Sequence, residues 1–448
     1  MRLVARRLLP ASSSSIRTSS QVLAAARAVA ISRRAAAAAT ATMAAAGDAP
    51  PPPPPPPPLC RVAVAQMTAT DDPERNLAVC SSLAEQAARG GARMLFLPEC
   101  FAFIGQKQSD ALAFAQPLSG PLMRRYRSLA KRHGLWVSLG GFQERCPLFG
   151  EERDLEEEQA MLRLPLSDDD EAEEEDEGGG EAGGATPPPP PPAQRVYNAH
   201  VVVDPLGRVR AVYRKIHLFD VDAPGGGPVL MESRTTMPGE QLVAVPGVSG
   251  SGGDAGDDDD GCPCGPLGLT TCYDVRFPEM FAALAFGSEG EEDEGEEGGG
   301  GGGGSNTTPR SPRPTRSRRP PCRILCVPSA FTKITGEAHW EVLLRARDIE
   351  TQCYVIAAAQ AGKHSPGRES FGHALIVDPW GDVVARGVGG GGGGEGSEGG
   401  DCHATGLAFA DLSAERVDEV RRRMPIAMHR TAGKKRWAGG GGGDVKRL

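Results

Sequence analysis

The chain has 448 residues, 24% of them charged, and a formal net charge of −9. Its acids crowd into runs such as 168–177 and 289–297, so the negative balance identifies no charged partner. No apolar run approaches the ~20 residues a membrane helix requires, and the 11 cysteines, odd in number and without a secreted-framework spacing, fit a reducing compartment.

Residues 1–47 carry seven arginines, many serines and alanines, and no acid before Asp48. This is the profile of a mitochondrial or chloroplast transit peptide, the other reading being a compositionally biased leader. Met43 is the next methionine, and initiation there predicts a cytoplasmic form without those arginines. Residues 1–58, ending in a polyproline spacer, therefore precede a catalytic domain expected over 59–437, with a flexible tail at 438–448. Four low-complexity inserts, at 151–193, 248–265, 287–321 and 388–401, lack the apolar surface that would offset chain entropy and are expected to be disordered. The basic run from Arg310 to Arg319 has no interleaved aromatics and is read as part of such an insert rather than a nucleic-acid patch. Cys262-Pro-Cys264 also falls in an insert, without a partner pair, and is read as incidental. The sequence predicts no metal, cofactor, nucleic-acid or membrane site.

In chain order, 61–66 reads as a first strand. Asp72-Pro73-Glu74 opens a helix whose buried face is Leu77, Cys80, Leu83, Ala84 and Ala87, and Gly90-Gly91 ends it. A strand at 94–97, a helix at 121–133 and a strand at 135–140 follow. Alternation at 197–203 and 209–213 around Asp204-Pro-Leu-Gly207 predicts a hairpin, and a second one, 374–377 with 383–385, is expected to close the domain. Elements alone give an α/β mixture.

Three residues at predicted strand ends carry chemistry. Glu99, after the apolar Met94-Leu-Phe-Leu-Pro, is placed where desolvation would raise its pKa toward that of a working base. Lys215 ends an alternating strand and offers a cation against developing negative charge. Cys272, in Leu267-Gly-Leu-Thr-Thr-Cys272-Tyr-Asp-Val-Arg276-Phe-Pro-Glu279, falls at an expected helix start, where aligned N–H groups lower a thiol pKa and can hold an oxyanion. Taken singly, each has a plainer reading as a paired charge or a buried filler. Together they predict a cysteine hydrolase without histidine: glutamate as base, lysine on the oxyanion, cysteine as nucleophile. Cys100 and His339-Trp340 are read as bystanders.

These three blocks, in this order, resemble the signatures of the carbon–nitrogen hydrolase (nitrilase) superfamily. Asp220-Val-Asp-Ala-Pro-Gly, Met237-Pro-Gly239 and the run from Val327 to Glu341 are similar to its Nit branch. The stretches from Leu343 to Gln360 and from Gly372 to Gly381 resemble the deaminated-glutathione amidases within that branch. The resemblance implies a four-layer α-β-β-α sandwich that pairs into a homodimer or higher homo-oligomer, acting on a small-molecule amide. It implies thiolate attack on the amide, loss of ammonia, and hydrolysis of a thioester. It assigns Glu99 as general base, Lys215 as oxyanion stabiliser, Cys272 as nucleophile and Glu232 as a supporting acid, with Glu144 as a rival for that last place. The Tyr273 backbone N–H would share the oxyanion with Lys215. Arg276 is the candidate for a substrate carboxylate, its alternative being an ion pair with Asp274 or Glu279; Phe331 and Thr335 are candidates for the pocket wall. An ω-amidase acting on 2-oxoglutaramate or 2-oxosuccinamate would use the same residues, and a non-catalytic scaffold with charged docking arms is the alternative of another class.

Overall fold

The computed structural model describes residues 60–146, 158–166, 195–222, 230–248, 261–287, 321–387 and 405–430. The expected transit segment, polyproline spacer and C-terminal tail lie outside these residues, as do most of the four inserts. Two sheets organise the rest. The larger runs β13 (Arg368–Phe371), β12 (Ala359–Ser365), β1 (Cys60–Met67), β2 (Met94–Leu97), β3 (Trp136–Arg145), β4 (Val196–Val203) and β5 (Val209–Arg214), with β16 (Gly406–Leu412) also paired to β1. The smaller runs β15 (Val383–Arg386), β14 (Leu375–Val377), β11 (Tyr354–Ala357), β10 (Ile324–Cys326), β9 (Leu267–Leu269) and β8 (Val243–Val245).

Strand parity explains how two sheets share one body. Along β1 (Cys60–Met67), Val62 and Val64 join the core between the sheets, while Ala63, Ala65 and Met67 join the core on the outer side. In β2 (Met94–Leu97), Met94 and Phe96 turn inward and Leu95 and Leu97 outward. That outer side is covered by α1 (Pro73–Arg89) and α3 (Pro121–His133), which follow the short α2 (Asp110–Phe114). Helix α1 uses the expected N-cap: the Asp72 carboxylate accepts from the Arg75 N–H at 3.1 Å. The far side of the small sheet carries α4 (Pro278–Phe286) and α5 (Lys333–Thr351). The layers are α-β-β-α, as the resemblance implies.

Strand β3 (Trp136–Arg145) and β4 (Val196–Val203) form an antiparallel pair, and β4 turns through 204–208 into β5 (Val209–Arg214). Sheet two takes β8 (Val243–Val245), β9 (Leu267–Leu269), β10 (Ile324–Cys326), β11 (Tyr354–Ala357), β14 (Leu375–Val377) and β15 (Val383–Arg386). A hairpin of β12 (Ala359–Ser365) and β13 (Arg368–Phe371) and a small ribbon of β6 (Asp220–Val221) and β7 (Leu230–Met231) stand at one end. Among the described residues no helix is long and apolar enough to cross a membrane.

Three expectations need correction. The hairpin β14–β15 does not close the domain: β16 (Gly406–Leu412) runs antiparallel along β1, followed by α6 (Ala414–Arg423) and α7 (Ile426–His429). The inserts are also narrower than composition suggests. Leu162 and Leu166 are buried, and Cys262 and Cys264 are wholly so, packed between the sheets. Finally, Cys264 is disulfide-bonded to Cys60, 204 residues earlier, so it is not incidental and the cysteines are not all free.

Candidate active site

Glu99, Lys215 and Cys272 each stand just past the end of a strand, and the two sheets bring these ends together. Glu99 follows β2 by two residues, Lys215 follows β5 directly, and Cys272 opens a 3-10 turn (Cys272–Arg276) after β9. Cys272 has φ 50° and Cys100, next to Glu99, has φ 57°. Left-handed backbone at non-glycine residues is strained and survives where surroundings over-determine it. Gly141 is what lets β3 pass: a Cβ there would lie 2.6 Å from Asn198 Oδ1 and 3.2 Å from Glu99 Cγ.

Lys215 is 2% exposed and its ammonium donates to Glu99 Oε1 at 3.0 Å and to Glu232 Oε2 at 2.9 Å. Asn198 Nδ2 bridges the two acids, 2.9 Å from Glu99 Oε1 and 3.4 Å from Glu232 Oε1. The Ala330 N–H donates to Glu99 Oε2 at 2.9 Å, and the Phe219 N–H to Glu232 Oε2 at 2.7 Å. A second buried acid, Asp274, ties the lysine strand to the cysteine turn. It accepts from Tyr213 Oη at 2.6 Å, the Thr271 N–H at 2.8 Å and the His217 N–H at 3.1 Å, and its Oδ1 lies 2.7 Å from His217 Nδ1.

The electrostatics differ from the sequence expectation at two residues. Burial pushes the Glu99 carboxyl up, but the Lys215 charge and hydrogen bonds from Cys272, Lys215 and Asn198 outweigh it, so the net direction is downward. The Cys272 thiol is driven well up, by burial first and then by the Glu99 charge, with Lys215 opposing. The net direction is therefore opposite to the lowering expected of a helix start. Lys215 loses some basicity to burial, yet the Glu232 and Glu99 carboxylates hold its ammonium well above the usual lysine range. At rest the proton sits on sulfur, and the carboxylate that can take it is in hydrogen-bond contact.

Glu99, Lys215, Glu232 and Cys272 all line one cavity of about 500 Å³. Tyr273, Phe331 and Thr335 line it too. Arg276 does not. Its guanidinium lies over the rings of Tyr273 (5.6 Å) and Phe331 (5.7 Å) and within 3.2 Å of His339 Nδ1, behind two residues of the cavity wall and not where it was expected to meet a substrate carboxylate. Neither expected partner takes it, since Asp274 faces inward to Tyr213 and His217. Glu144 is held by Arg214, with 2.7 Å between Nε and Oε2, which leaves the supporting position to Glu232. Trp340 packs at 2% exposure, donating to the His373 carbonyl at 2.8 Å. Asn198 and Asp274 are the residues sequence reasoning missed. The one available signal was for Asn198, a polar residue interrupting an apolar strand, which is common in structural roles; Asp274 lies in the 3-10 turn and had no such signal.

The family model for carbon-nitrogen hydrolases matches residues 61–164, 184–289 and 309–422, most of the chain and every residue of this cluster. The chain belongs to the carbon–nitrogen hydrolase family. Its chemistry is therefore hydrolysis of a carbon–nitrogen bond. This carbon–nitrogen hydrolase is 38% identical to the deaminated glutathione amidase of Homo sapiens over 370 residues, covering 82% of this chain and 81% of that one. It is 32% identical to the deaminated glutathione amidase of Dictyostelium discoideum, covering 83% and 93%. Among solved structures, the C. elegans NitFhit protein superposes with a TM-score of 0.56 at 32% identity, covering 84% of this chain and 66% of that longer one. The Saccharomyces cerevisiae Nit3 structure, at 21% identity and a TM-score of 0.50 over 82% and 94%, shares the fold.

Proposed function

We propose that this carbon–nitrogen hydrolase is an amidase that hydrolyses the γ-amide of deaminated glutathione through a Cys272 thioester, a metabolite-repair reaction. The observation that carries the reading is the meeting of Glu99, Lys215 and Cys272 in one cavity. The relatives named for deaminated glutathione support the substrate. Glu99 accepts the thiol proton as sulfur attacks the amide carbon. The oxyanion is held by Lys215 and the Tyr273 N–H. Collapse of the tetrahedral intermediate breaks the C–N bond, and Glu99 returns the proton to the leaving nitrogen. Glu99 then deprotonates a water that cleaves the thioester, and the proton goes back to sulfur. Lys215 keeps its charge throughout, because two carboxylates face it, so its work is electrostatic. Glu232 and Asn198 hold its position.

The amide of deaminated glutathione is secondary, so the leaving group is the amine of cysteinylglycine and the acyl product is 2-oxoglutarate. Ammonia leaves only from a primary amide such as 2-oxoglutaramate, the substrate of the alternative ω-amidase reading. The test is to incubate the protein with each compound and follow 2-oxoglutarate. Faster turnover of deaminated glutathione supports the proposal, a preference for 2-oxoglutaramate supports the ω-amidase, and no turnover of either leaves the scaffold reading. We further propose a homodimer as the working unit, tested by native mass, and an organellar location for a form carrying residues 1–47, with a cytoplasmic form from Met43. Fusing residues 1–58 to a fluorescent protein tests the leader, since a diffuse cytosolic signal rules it out.

A further inference from the structure

The cavity extends well beyond the reacting centre, and its rim carries three cations from three separate elements. Lys107 comes from the loop after β2, Lys333 is the first residue of α5, and Arg368 is the first residue of β13. All three are exposed, and among the described residues their side chains have no ion pair or hydrogen bond. Some exposed cations elsewhere on the body are paired, as in Arg386–Glu341 and Arg61–Asp411, whereas these three share the mouth of one cavity. The acids of the cavity do not balance the rim. Glu99 and Glu232 are committed to Lys215, which leaves Glu369, opposite Lys363 in the β12–β13 ladder. Lys333 is also out of place by helix rules: the first turn of α5 has no acid, and a cation there opposes the positive end of the helix. An anion in the mouth relieves that repulsion. Arg368 is near enough to the reacting centre for its charge to act on the Cys100 thiol beside Glu99.

We propose that Arg368, flanked by Lys333 and Lys107, binds the carboxylate on the leaving-group side of the substrate. This deepens the amidase reading and rests on it: in deaminated glutathione the group held is the glycine carboxylate. The acyl part enters toward Cys272 and the leaving amine points outward, so a terminal carboxylate two residues beyond the scissile nitrogen lies roughly 7 Å further along an extended chain. A guanidinium fork suits it.

The test compares deaminated glutathione with its C-terminal glycinamide, which has the same scissile bond and no terminal charge. Wild-type enzyme is expected to prefer the acid by about tenfold in kcat/KM, the size of one charge-assisted hydrogen bond. Arg368→Ala should erase most of that preference by raising KM for the acid, with kcat within about threefold and the amide unaffected. Lys333→Ala and Lys107→Ala should each remove part of it, and added salt should narrow it in the wild type. Equal use of acid and amide by wild-type enzyme overturns the inference and leaves the amidase reading intact, as does an Arg368→Ala loss shared equally by both. No turnover of deaminated glutathione overturns the amidase reading, and this inference with it.

Discussion

Cys272 is a thiol at rest, so in the proposed reaction its attack depends on Glu99 taking the proton rather than on a standing thiolate. A serine hydroxyl holds its proton far more tightly than a thiol, so Cys272→Ser, like Cys272→Ala, should abolish turnover while thermal unfolding stays near wild type. Measurable activity in either variant would remove Cys272 from its role. Glu99→Gln keeps the shape but cannot accept the proton, and kcat should fall by at least about a hundredfold with no thioester seen by mass spectrometry. Asn198→Ala is a different case, since that amide touches the two acids and not the substrate. Loss of its bridge should lower kcat by about tenfold with little change in KM, the size of one hydrogen bond to a charge, and move the pH profile of kcat. An unchanged profile would mean that Asn198 is merely structural. That Glu99, Lys215 and Cys272 stand at strand ends was legible in the sequence, because an apolar run precedes Glu99, an alternating one Lys215 and a short apolar one the approach to Cys272. Asn198 and Asp274 were not, because a buried polar residue gives no sign in sequence of what it will meet. Arg276 was misjudged for a related reason: its distance from Cys272 in sequence says nothing of which way a turn will aim it.

Elements whose signals were local came out close to expectation. Strands β1 and β2, helices α1 and α3, and the β4–β5 hairpin start and stop at their caps, glycines and prolines. What was missed was long-range. Strand β16 lies beside β1 across 352 residues of sequence in the pair Cys60↔Leu412 and 340 in the pair Gln66↔Gly406, and nothing near residue 406 reveals that partner. Helix α5 offers a test at this scale. Burial, with Asp378 adding a second negative charge, pushes the Asp348 carboxyl up to about 8. An unfolded aspartate titrates near 4. Between these values the folded chain holds a proton that the unfolded chain has lost, so this residue makes stability fall as pH rises from about 4 to about 8. Asp348→Asn should therefore raise Tm at pH 8 and leave it almost unchanged at pH 4. A Tm that drops equally at both pH values would mean that the carboxylate is needed in its ionised form.

At the scale of the whole molecule, long stretches interrupt one folded body because each leaves and returns at neighbouring residues. The Cys146 N–H reaches the Arg195 carbonyl at 3.3 Å, Val248 N–H the Cys262 carbonyl at 3.2 Å, and Cys322 N–H the Leu284 carbonyl at 3.1 Å. Ends already in contact make a long connection thermodynamically mild, since loop entropy grows only with the logarithm of length. None of Val248, Gly261, Gly287 and Pro321 lines the catalytic cavity. The stretch between β3 and β4 is different, because part of it belongs to the core. Leu162 and Leu166 are 3% and 7% exposed, the Leu164 carbonyl accepts from Arg127 at 2.9 Å, and Glu158 accepts from the Ser119 N–H at 2.8 Å. Replacing 167–194 with a flexible link of roughly twelve residues, enough to span back along β4, should leave Tm and kcat/KM within a few-fold and a few degrees of wild type. Replacing all of 147–194 with a two-residue turn between Cys146 and Arg195 removes both leucines, each worth about 1.5–3 kcal/mol when buried. Tm should then fall by about 5 °C or more, with activity surviving at low temperature. Thermal unfolding and turnover of the two deletions side by side decide the matter. Equal Tm values would show that 158–166 adds nothing to the core, and a collapse of kcat/KM in the shorter deletion would show that 167–194 takes part in catalysis.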